Sequence, residues 1–232
     1  MEQARNNDQK CPVVLLLDTS GSMEGAPIDE LNAALTKLKE DILCDTLLLN
    51  RLEIGIVAFD DEGRIERPID LISAESSFPV LTIGGRTNLV SGMNIAMSMV
   101  EERRTFYKAN NELSYRPIIV LITDGEPTNT EDEINALDAE IQSKSDNKKF
   151  LFMPFGTGGA DTNLLAKLAA QTTDERLKRI GKAYLIKDVS QFSKVFEFVS
   201  ASVGAAMNQG GTADVTLSPD VAQQVTVPID LS

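Results

Sequence analysis

The chain has 232 residues, 42% hydrophobic and 5% aromatic, enough for one domain with a core built mainly of aliphatic side chains. Its 35 acidic and 22 basic residues give a net charge of −13, which argues against nucleic acid as a partner because the surface repels phosphate. The sequence has no histidine, which excludes Ser-His-Asp and Cys-His catalytic arrangements within it, and histidine-ligated zinc as well. Cys11 and Cys44 are too far apart in sequence for a metal-binding pair, and we expect both to be reduced thiols of a cytoplasmic protein, with a single disulfide between them as the alternative.

Short apolar runs predict the strands of a parallel sheet. Residues 1–9 form a polar N-terminal segment, and the run after it ends at Asp18, too early for a signal peptide or membrane span. Near-continuous apolar runs are typical of strands buried on both faces. They occur at residues 13–18, 51–60, 117–124, 149–156 and 182–186. Residues 64–72 are interrupted by polar side chains and by Pro68, which lacks an amide donor, so they indicate an edge strand.

Segments with helical spacing alternate with these runs. Thr130 and Glu133 have the spacing of a capping box, in which two side chains bond reciprocally to backbone amides, and Asp188 and Gln191 repeat that spacing. The alternation predicts an α/β fold, a doubly wound sheet with helices on both faces. The helical segments are 27–43, the stretch after Thr87, the stretch after Thr130, 161–172 and the stretch after Asp188.

The last residues depart from this alternation. Glycine and proline punctuate residues 208–232, which lack helical spacing, so we expect a tail that is extended along the domain or disordered. The domain itself then covers residues 10–207. Three tail carboxylates are candidates to reach a metal in the same or a neighbouring molecule: Asp214, Asp220 and Asp230.

Polar side chains follow the predicted strands at the edge where ligands bind in such sheets. Asp18 ends the first strand, and Ser20 and Ser22 follow it in the next loop. Asp124 ends the 117–124 strand, so the two carboxylates meet if these strands are neighbours. A Gly-Gly loop before the second helix carries Thr87, which could face the same point.

Two carboxylates and three hydroxyls form a set of hard oxygen donors, which suits Mg²⁺, Mn²⁺ or Ca²⁺. The carboxylates balance a divalent charge and the hydroxyls add none, so the metal could accept a carboxylate from another molecule. Each residue also has a purely structural interpretation. Asp18, Ser20 and Ser22 could cap the first helix, Thr87 the second, and Asp124 could belong to a turn.

In this order and spacing, "DTSGS", a Gly-Gly-x-Thr loop and "ITDGEPT" closely resemble the von Willebrand factor type A (VWA) domain, over residues from about 10 to 206. The resemblance implies a mostly parallel doubly wound sheet with one antiparallel edge strand, in agreement with residues 64–72. It also implies a metal-ion-dependent adhesion site (MIDAS), in which the serines ligate directly and the carboxylates act partly through water. The implied ligands are Asp18, Ser20, Ser22, Thr87 and Asp124.

A narrower resemblance points to the biological setting. The stretches "CPVVLLLDTSGSMEGAPIDELNAAL", "IGIVAFDD" and "ITDGEPT" are similar to bacterial TerY-like VWA proteins of tellurium resistance and stress response. This implies a cytoplasmic, non-enzymatic scaffold that binds a protein partner through a metal, with Mg²⁺ as the default and an Asp or Glu from the partner. Five residues flank the metal loops and are predicted to face that partner: Met23, Glu24, Gly85, Arg86 and Glu126.

Other functions remain as alternatives. A magnesium-dependent phosphatase of the haloacid dehalogenase type needs Asp-x-Asp after the first strand, but Ser20 stands where the acid-base aspartate belongs. A nucleotide site is disfavoured because neither Gly-x-Gly-x-x-Gly nor a Walker-type run is present. A structural domain with an unused site predicts that Mg²⁺ changes neither thermal stability nor partner binding.

Overall fold

A computed structural model of the protein describes residues 8–169, 183–186, 188–208 and 226–228. Two short 3₁₀ turns lie at Gly21–Met23 and Val189–Gln191. The strands are β1 (Cys11–Asp18), β2 (Leu52–Phe59), β3 (Gly63–Leu71), β4 (Ile118–Thr123), β5 (Leu151–Thr157), β6 (Tyr184–Ile186) and β7 (Thr226–Pro228). The helices are α1 (Ala26–Cys44), α2 (Thr46–Arg51), α3 (Leu89–Ala109), α4 (Glu131–Asp146), α5 (Thr162–Leu168) and α6 (Phe192–Asn208).

The strands form one sheet in the order β3-β2-β1-β4-β5-β6-β7. Strands β2, β1, β4, β5 and β6 are parallel, and β3 runs antiparallel to β2 at one edge. Every residue of β1, β2, β4 and β5 is buried, because helices cover both faces of the sheet. The predicted doubly wound, mostly parallel sheet with an antiparallel edge strand is confirmed. At the opposite edge the structure adds β7, antiparallel to β6.

The edge strand β3 shows how Pro68 is accommodated. The pairing of β3 with β2 shifts register around Ile56, next to the position where proline offers no amide donor. The buried guanidinium of Arg67 supplies donors there instead. It bonds to the carbonyl oxygen of Ile54 and to those of Asp70 and Leu71, at 3.1 and 3.0 Å for the latter two. Arg67 therefore supplies side-chain donors to backbone carbonyl oxygens at this irregularity.

Of the two predicted capping boxes, the structure forms the first completely and the second only in part. Thr130 and Glu133 form the predicted capping box at the start of α4. Asp188 accepts a hydrogen bond from the amide of Ser190, at 2.9 Å, and so caps the short turn before α6. The second capping box also predicts that the side-chain oxygen of Gln191 accepts from the backbone amide of Asp188. That oxygen is buried without a hydrogen-bond partner, so this half of the prediction is wrong.

The C-terminal predictions are described only in part. Residues 226–228 are extended, as β7, and the remainder of the tail after 208 lies outside the described residues, including Asp214, Asp220 and Asp230. The last three residues of the predicted helix 161–172 also fall outside them.

Both cysteines are free thiols, with Cys11 buried and Cys44 exposed. Among the helices that the structure describes, none is long and apolar enough to cross a membrane.

Glycines allow α3 to approach the sheet closely, and this contact fixes where the loop before α3 ends. A Cβ added to Gly92 would lie 2.7 Å from the Cβ of Phe59, and one added to Gly63 would lie 2.8 Å from the Cα of Gly92. Real Cβ contacts are not this short. The α3 backbone therefore rests directly on β2 and on the start of β3.

We predict that Gly92→Ala destabilises the protein while the matched change Gly204→Ala in α6 does not. Overpacking against Phe59 costs about 1–3 kcal/mol, toward the upper end here because both contacting groups are rigid. A Cβ added to Gly204 would meet no atom of the described residues within 4 Å, so alanine should contribute only its helix propensity, about 1 kcal/mol of stabilisation. Urea unfolding of the two variants and the parent measures both effects. Equal stabilisation by the two substitutions would contradict the close approach of α3.

Candidate metal centre

The site lies at the point where the strand order reverses. Strand β1 pairs with β2 on one side and with β4 on the other, and all three run parallel. Asp18 is the last residue of β1, and Asp124 directly follows β4. The two carboxylates were expected to meet only if their strands are neighbours, and β1 and β4 are neighbours. Both carboxylates therefore lie at the carboxyl ends of adjacent strands.

A chain of short hydrogen bonds joins the first loop to the second strand end. The hydroxyl oxygens of Ser20 and Ser22 are 3.1 Å apart. Ser22 donates to Oδ1 of Asp124 at 2.6 Å, across 102 residues of sequence. Three of the five candidate ligands are thus in direct contact with one another through their oxygen atoms.

The fourth candidate, Thr87, faces the same point. A Cβ added to Gly125 would lie 3.3 Å from the Ser22 hydroxyl oxygen and 3.6 Å from that of Thr87. Both hydroxyls therefore approach Gly125, the residue after Asp124. The structure brings the three loops together as the sequence pattern predicted, and the absence of a side chain at Gly125 leaves room between them.

The helix-cap interpretation does not hold for Ser20 or Thr87. Asn88, not Thr87, caps α3, since its side chain accepts from the amide of Ser91 at 3.1 Å. The residue before α1 is Gly25, which has no side chain to cap with, and Ser20 makes no capping bond to the short turn that follows it. The hydroxyls of Ser20 and Thr87 are thus not used to start helices.

Asp18 is fully buried and held by neutral donors. Its Oδ1 accepts from the amide of Ser20 at 2.9 Å, and its Oδ2 accepts from the hydroxyl of Thr123 at 2.5 Å. Burial raises the pKa of Asp18, the nearby charge of Asp124 raises it further, and the bonds from Ser20 and Thr123 only partly offset this. A bound cation would compensate the charge at this position.

The neighbouring carboxylate of Asp60 is buried too but has a charged partner. The guanidinium of Arg64 bonds to Oδ2 of Asp60, and the hydroxyl of Thr19 donates to the same oxygen at 3.3 Å. Burial opposes ionisation of Asp60, yet the bond to Arg64 and its positive charge hold the pKa of this carboxyl below its usual value. The sequence places Asp60 only at the end of the apolar run 51–60 and does not show that Arg64 folds back over it.

The donor set fits a hard divalent cation. Among the described residues, no group of three or more His, Cys, Asp or Glu side chains converges as a metal site. The converging atoms are two carboxylates and three hydroxyls, which offer oxygen and neither nitrogen nor sulfur. Such donors favour Mg²⁺, Mn²⁺ or Ca²⁺.

Comparison with known proteins agrees with this geometry. The family model of the von Willebrand factor type A domain matches residues 13–197, most of the chain. The chain belongs to the VWA family. A sequence from Methanocaldococcus jannaschii, an uncharacterized protein, is 32% identical over 127 residues, covering 53% of this chain and 26% of that protein. Inter-alpha-trypsin inhibitor heavy chain H4 of Sus scrofa is 29% identical over 144 residues, covering 60% and 15%. The chain thus matches about a quarter or less of these relatives' lengths.

Solved structures share the VWA fold at low sequence identity. The PilB minor pilin from Streptococcus sanguinis has a TM-score of 0.60 and 11% identity, covering 90% of this chain and 65% of that one. Proximal thread matrix protein 1 from the mussel byssus, in a structure with a zinc-occupied MIDAS motif, has a TM-score of 0.54 and 15% identity, covering 83% and 45%. Relatives of this VWA domain therefore include one that holds a divalent metal at a MIDAS.

The rim of the VWA site differs from the prediction at one residue. Glu24, Gly85, Arg86 and Glu126 are exposed, as partner-facing residues must be. Met23 is fully buried and belongs to the apolar core on the α1 side of the sheet, so its assignment to the partner surface is wrong. The short turn Gly21–Met23 directs this side chain inward, a feature that its position beside Ser22 does not reveal.

We predict that Asp18→Asn stabilises the metal-free VWA domain. Because burial raises the pKa of Asp18, its ionised form costs folding free energy at neutral pH, and an isosteric amide removes that charge while keeping hydrogen-bonding capacity toward Ser20 and Thr123. A gain of about 1 kcal/mol corresponds to roughly 2–4 °C in Tm for a domain of this size. Thermal unfolding in EDTA measures it. A lower Tm than the parent's would contradict the uncompensated charge.

Proposed function

We propose that this VWA domain is a non-enzymatic, metal-dependent protein-binding module. Asp18, Ser20, Ser22, Thr87 and Asp124 hold a divalent cation, with Mg²⁺ as the default and Mn²⁺ or Ca²⁺ as alternatives. The partner contributes an Asp or Glu side chain. The observation that carries the proposal is the contact of Ser22 with both Ser20 and Asp124, which joins donors from two loops without using them as helix caps.

The hydrogen bonds divide the roles of the ligands. Ser22 directs its proton to Asp124 and therefore accepts from Ser20, so one lone pair of its hydroxyl oxygen stays available for a cation. Both oxygens of Asp18 already accept hydrogen bonds, which suits a residue that orients the loop and supplies charge. A bound divalent cation would supply an electrophilic position that a carboxylate from outside can occupy.

The charged residues around the site indicate which kind of partner surface would complement it. Glu24 and Glu126 are exposed in two of the loops that carry the candidate ligands, and the chain as a whole carries a net charge of −13. A partner whose metal-binding carboxylate lies among basic side chains complements this surface best. Arg86, the exposed basic residue of the third loop, is positioned to pair with a further acidic group of the partner.

The burial of Asp18 also favours binding over hydrolysis. A phosphatase would need this carboxylate free to attack phosphorus, whereas here it is fully buried and bonded at both oxygens. A generic phosphate ester assayed with Mg²⁺ tests the alternative. Turnover that disappears in Asp18→Ala would replace the binding proposal with an enzymatic one.

The proposed setting is a bacterial cytoplasm and its response to tellurium or other stress. The support for this setting is the resemblance of three stretches, which begin at Cys11, Ile54 and Ile122, to TerY-like proteins. Deleting the gene in its host and measuring growth with and without tellurite tests it. Restoration of growth by the parent gene and not by an Asp18→Ala allele would connect the phenotype to the metal site.

We predict that Mg²⁺ raises the Tm of the parent domain and that Asp18→Ala or Asp124→Ala abolishes this effect. Ligand present at 100 times its Kd stabilises a domain by about 2.7 kcal/mol. The control is Asp132→Ala, which removes an exposed carboxylate from the first turn of α4 that is not one of the proposed ligands.

The same three variants serve as bait in affinity capture from native lysate, with Mg²⁺ or with EDTA. We expect capture only by the parent and Asp132→Ala, and only with Mg²⁺. Unchanged capture by Asp18→Ala, together with no effect of EDTA, would contradict the proposed function and leave a structural domain with an unused site.

A further inference from the structure

Asp60 and Asp61 accept hydrogen bonds from the residues on both sides of Thr87. The amide of Arg86, just before Thr87, donates to Oδ1 of Asp61 at 3.1 Å. Just after Thr87, the amide of Asn88 donates to the carbonyl oxygen of Asp60 at 2.7 Å, and its side-chain nitrogen donates to the carbonyl oxygen of Asp61 at 3.1 Å. The residues that follow β2 therefore hold the loop that presents the Thr87 hydroxyl.

The same loop is fitted against the Asp61 side chain. A Cβ added to Gly85 would lie 2.2 Å from Oδ2 of Asp61, so glycine is needed for the carboxylate to lie along the loop. Two further backbone bonds tie this loop to the serine loop. Gly21 donates to the carbonyl oxygen of Gly85 at 3.0 Å, and Gly84 donates to that of Thr19 at 2.7 Å.

Asp61 is exposed, which sets it apart from the buried groups that stabilise the fold. Its carboxylate contacts the loop through Arg86, and its neighbour Glu62 is an exposed carboxylate one position further from β2. Removing the Asp61 side chain leaves the core untouched. Its measurable effect should therefore fall on the geometry of Thr87.

We infer that Asp61 is a positioning residue of the metal centre, one that sets the 83–88 loop so that the Thr87 hydroxyl faces Ser22 before a cation binds. The inference rests on the proposed function, since it assigns a role toward the same cation. Asp61 acts through one hydrogen bond to a backbone amide and does not itself ligate. Residues that orient ligands in this way affect metal affinity by about 10–100-fold.

The experiment measures Mg²⁺ binding calorimetrically for the parent and for Asp61→Ala, Asp61→Asn and Glu62→Gln. Asp61→Ala should raise the Kd for Mg²⁺ by roughly tenfold, because the bond to Arg86 is lost. Asp61→Asn removes the same charge but retains an oxygen acceptor, so it should bind close to the parent. Glu62→Gln controls for a loss of charge nearby. The Tm of all four proteins in EDTA should agree, since a merely structural role would lower it in Asp61→Ala.

A second readout follows the loop without metal. Hydrogen exchange of the Arg86 amide in EDTA should be faster in Asp61→Ala than in the parent and unchanged in Asp61→Asn. Gly85→Ala, which displaces the Asp61 carboxylate, should weaken Mg²⁺ binding as Asp61→Ala does. Combining the two substitutions should add little, because both remove one interaction.

The outcomes separate this inference from the proposed function. A parent protein that binds neither Mg²⁺ nor Mn²⁺ refutes the proposed function, and it refutes the role of Asp61 as well. A parent that binds while Asp61→Ala binds equally well refutes the positioning role alone. Equal weakening in Asp61→Ala and Asp61→Asn assigns the effect to charge and also overturns it, as does full additivity with Gly85→Ala.

Discussion

The parallel pairing of β1 with β4 is the constraint on which the site depends. It aligns Val13–Leu17 with Ile118–Ile122, so the chain leaves both strands at one edge of the sheet and turns to opposite sides. Thr123 can then donate to Asp18, and Ser22 can reach Asp124, although each pair is separated by more than a hundred residues. A one-residue slip in this register would turn these side chains to the wrong faces.

Local patterns made most of the fold predictable. Strands buried on both faces appear as unbroken apolar runs, Pro68 marks an edge strand, and the Thr130 cap is complete within four residues. The errors occur where a distant contact decides. Gln191 has the spacing of a capping box, yet its side-chain oxygen is buried without a hydrogen-bond partner. Met23 lies beside a ligand in sequence, but a short turn directs it into the core.

The candidate site was predictable to the extent that its residues end strands or precede helices. The sequence suggested Asp18, Asp124 and Thr87, and the fold brings their loops together. It could not show which helix caps are used, and Asn88 takes the role at α3 that Thr87 was a candidate for. It also gave no sign that Asp60 and Asp61 contact the Thr87 loop, because those contacts cross between loops that follow different elements.

Two buried carboxylates at adjacent strand ends differ in how the described residues compensate their charge. Asp60 follows β2 and is neutralised within the protein by Arg64, so its pKa lies below the usual value. Asp18, at the end of β1, receives only neutral donors among the described residues, and burial raises its pKa. An unpaired buried charge is costly unless something compensates it. The described residues supply a guanidinium to Asp60 and only neutral donors to Asp18, so the divalent cation proposed for this site would provide the positive charge that Asp18 lacks.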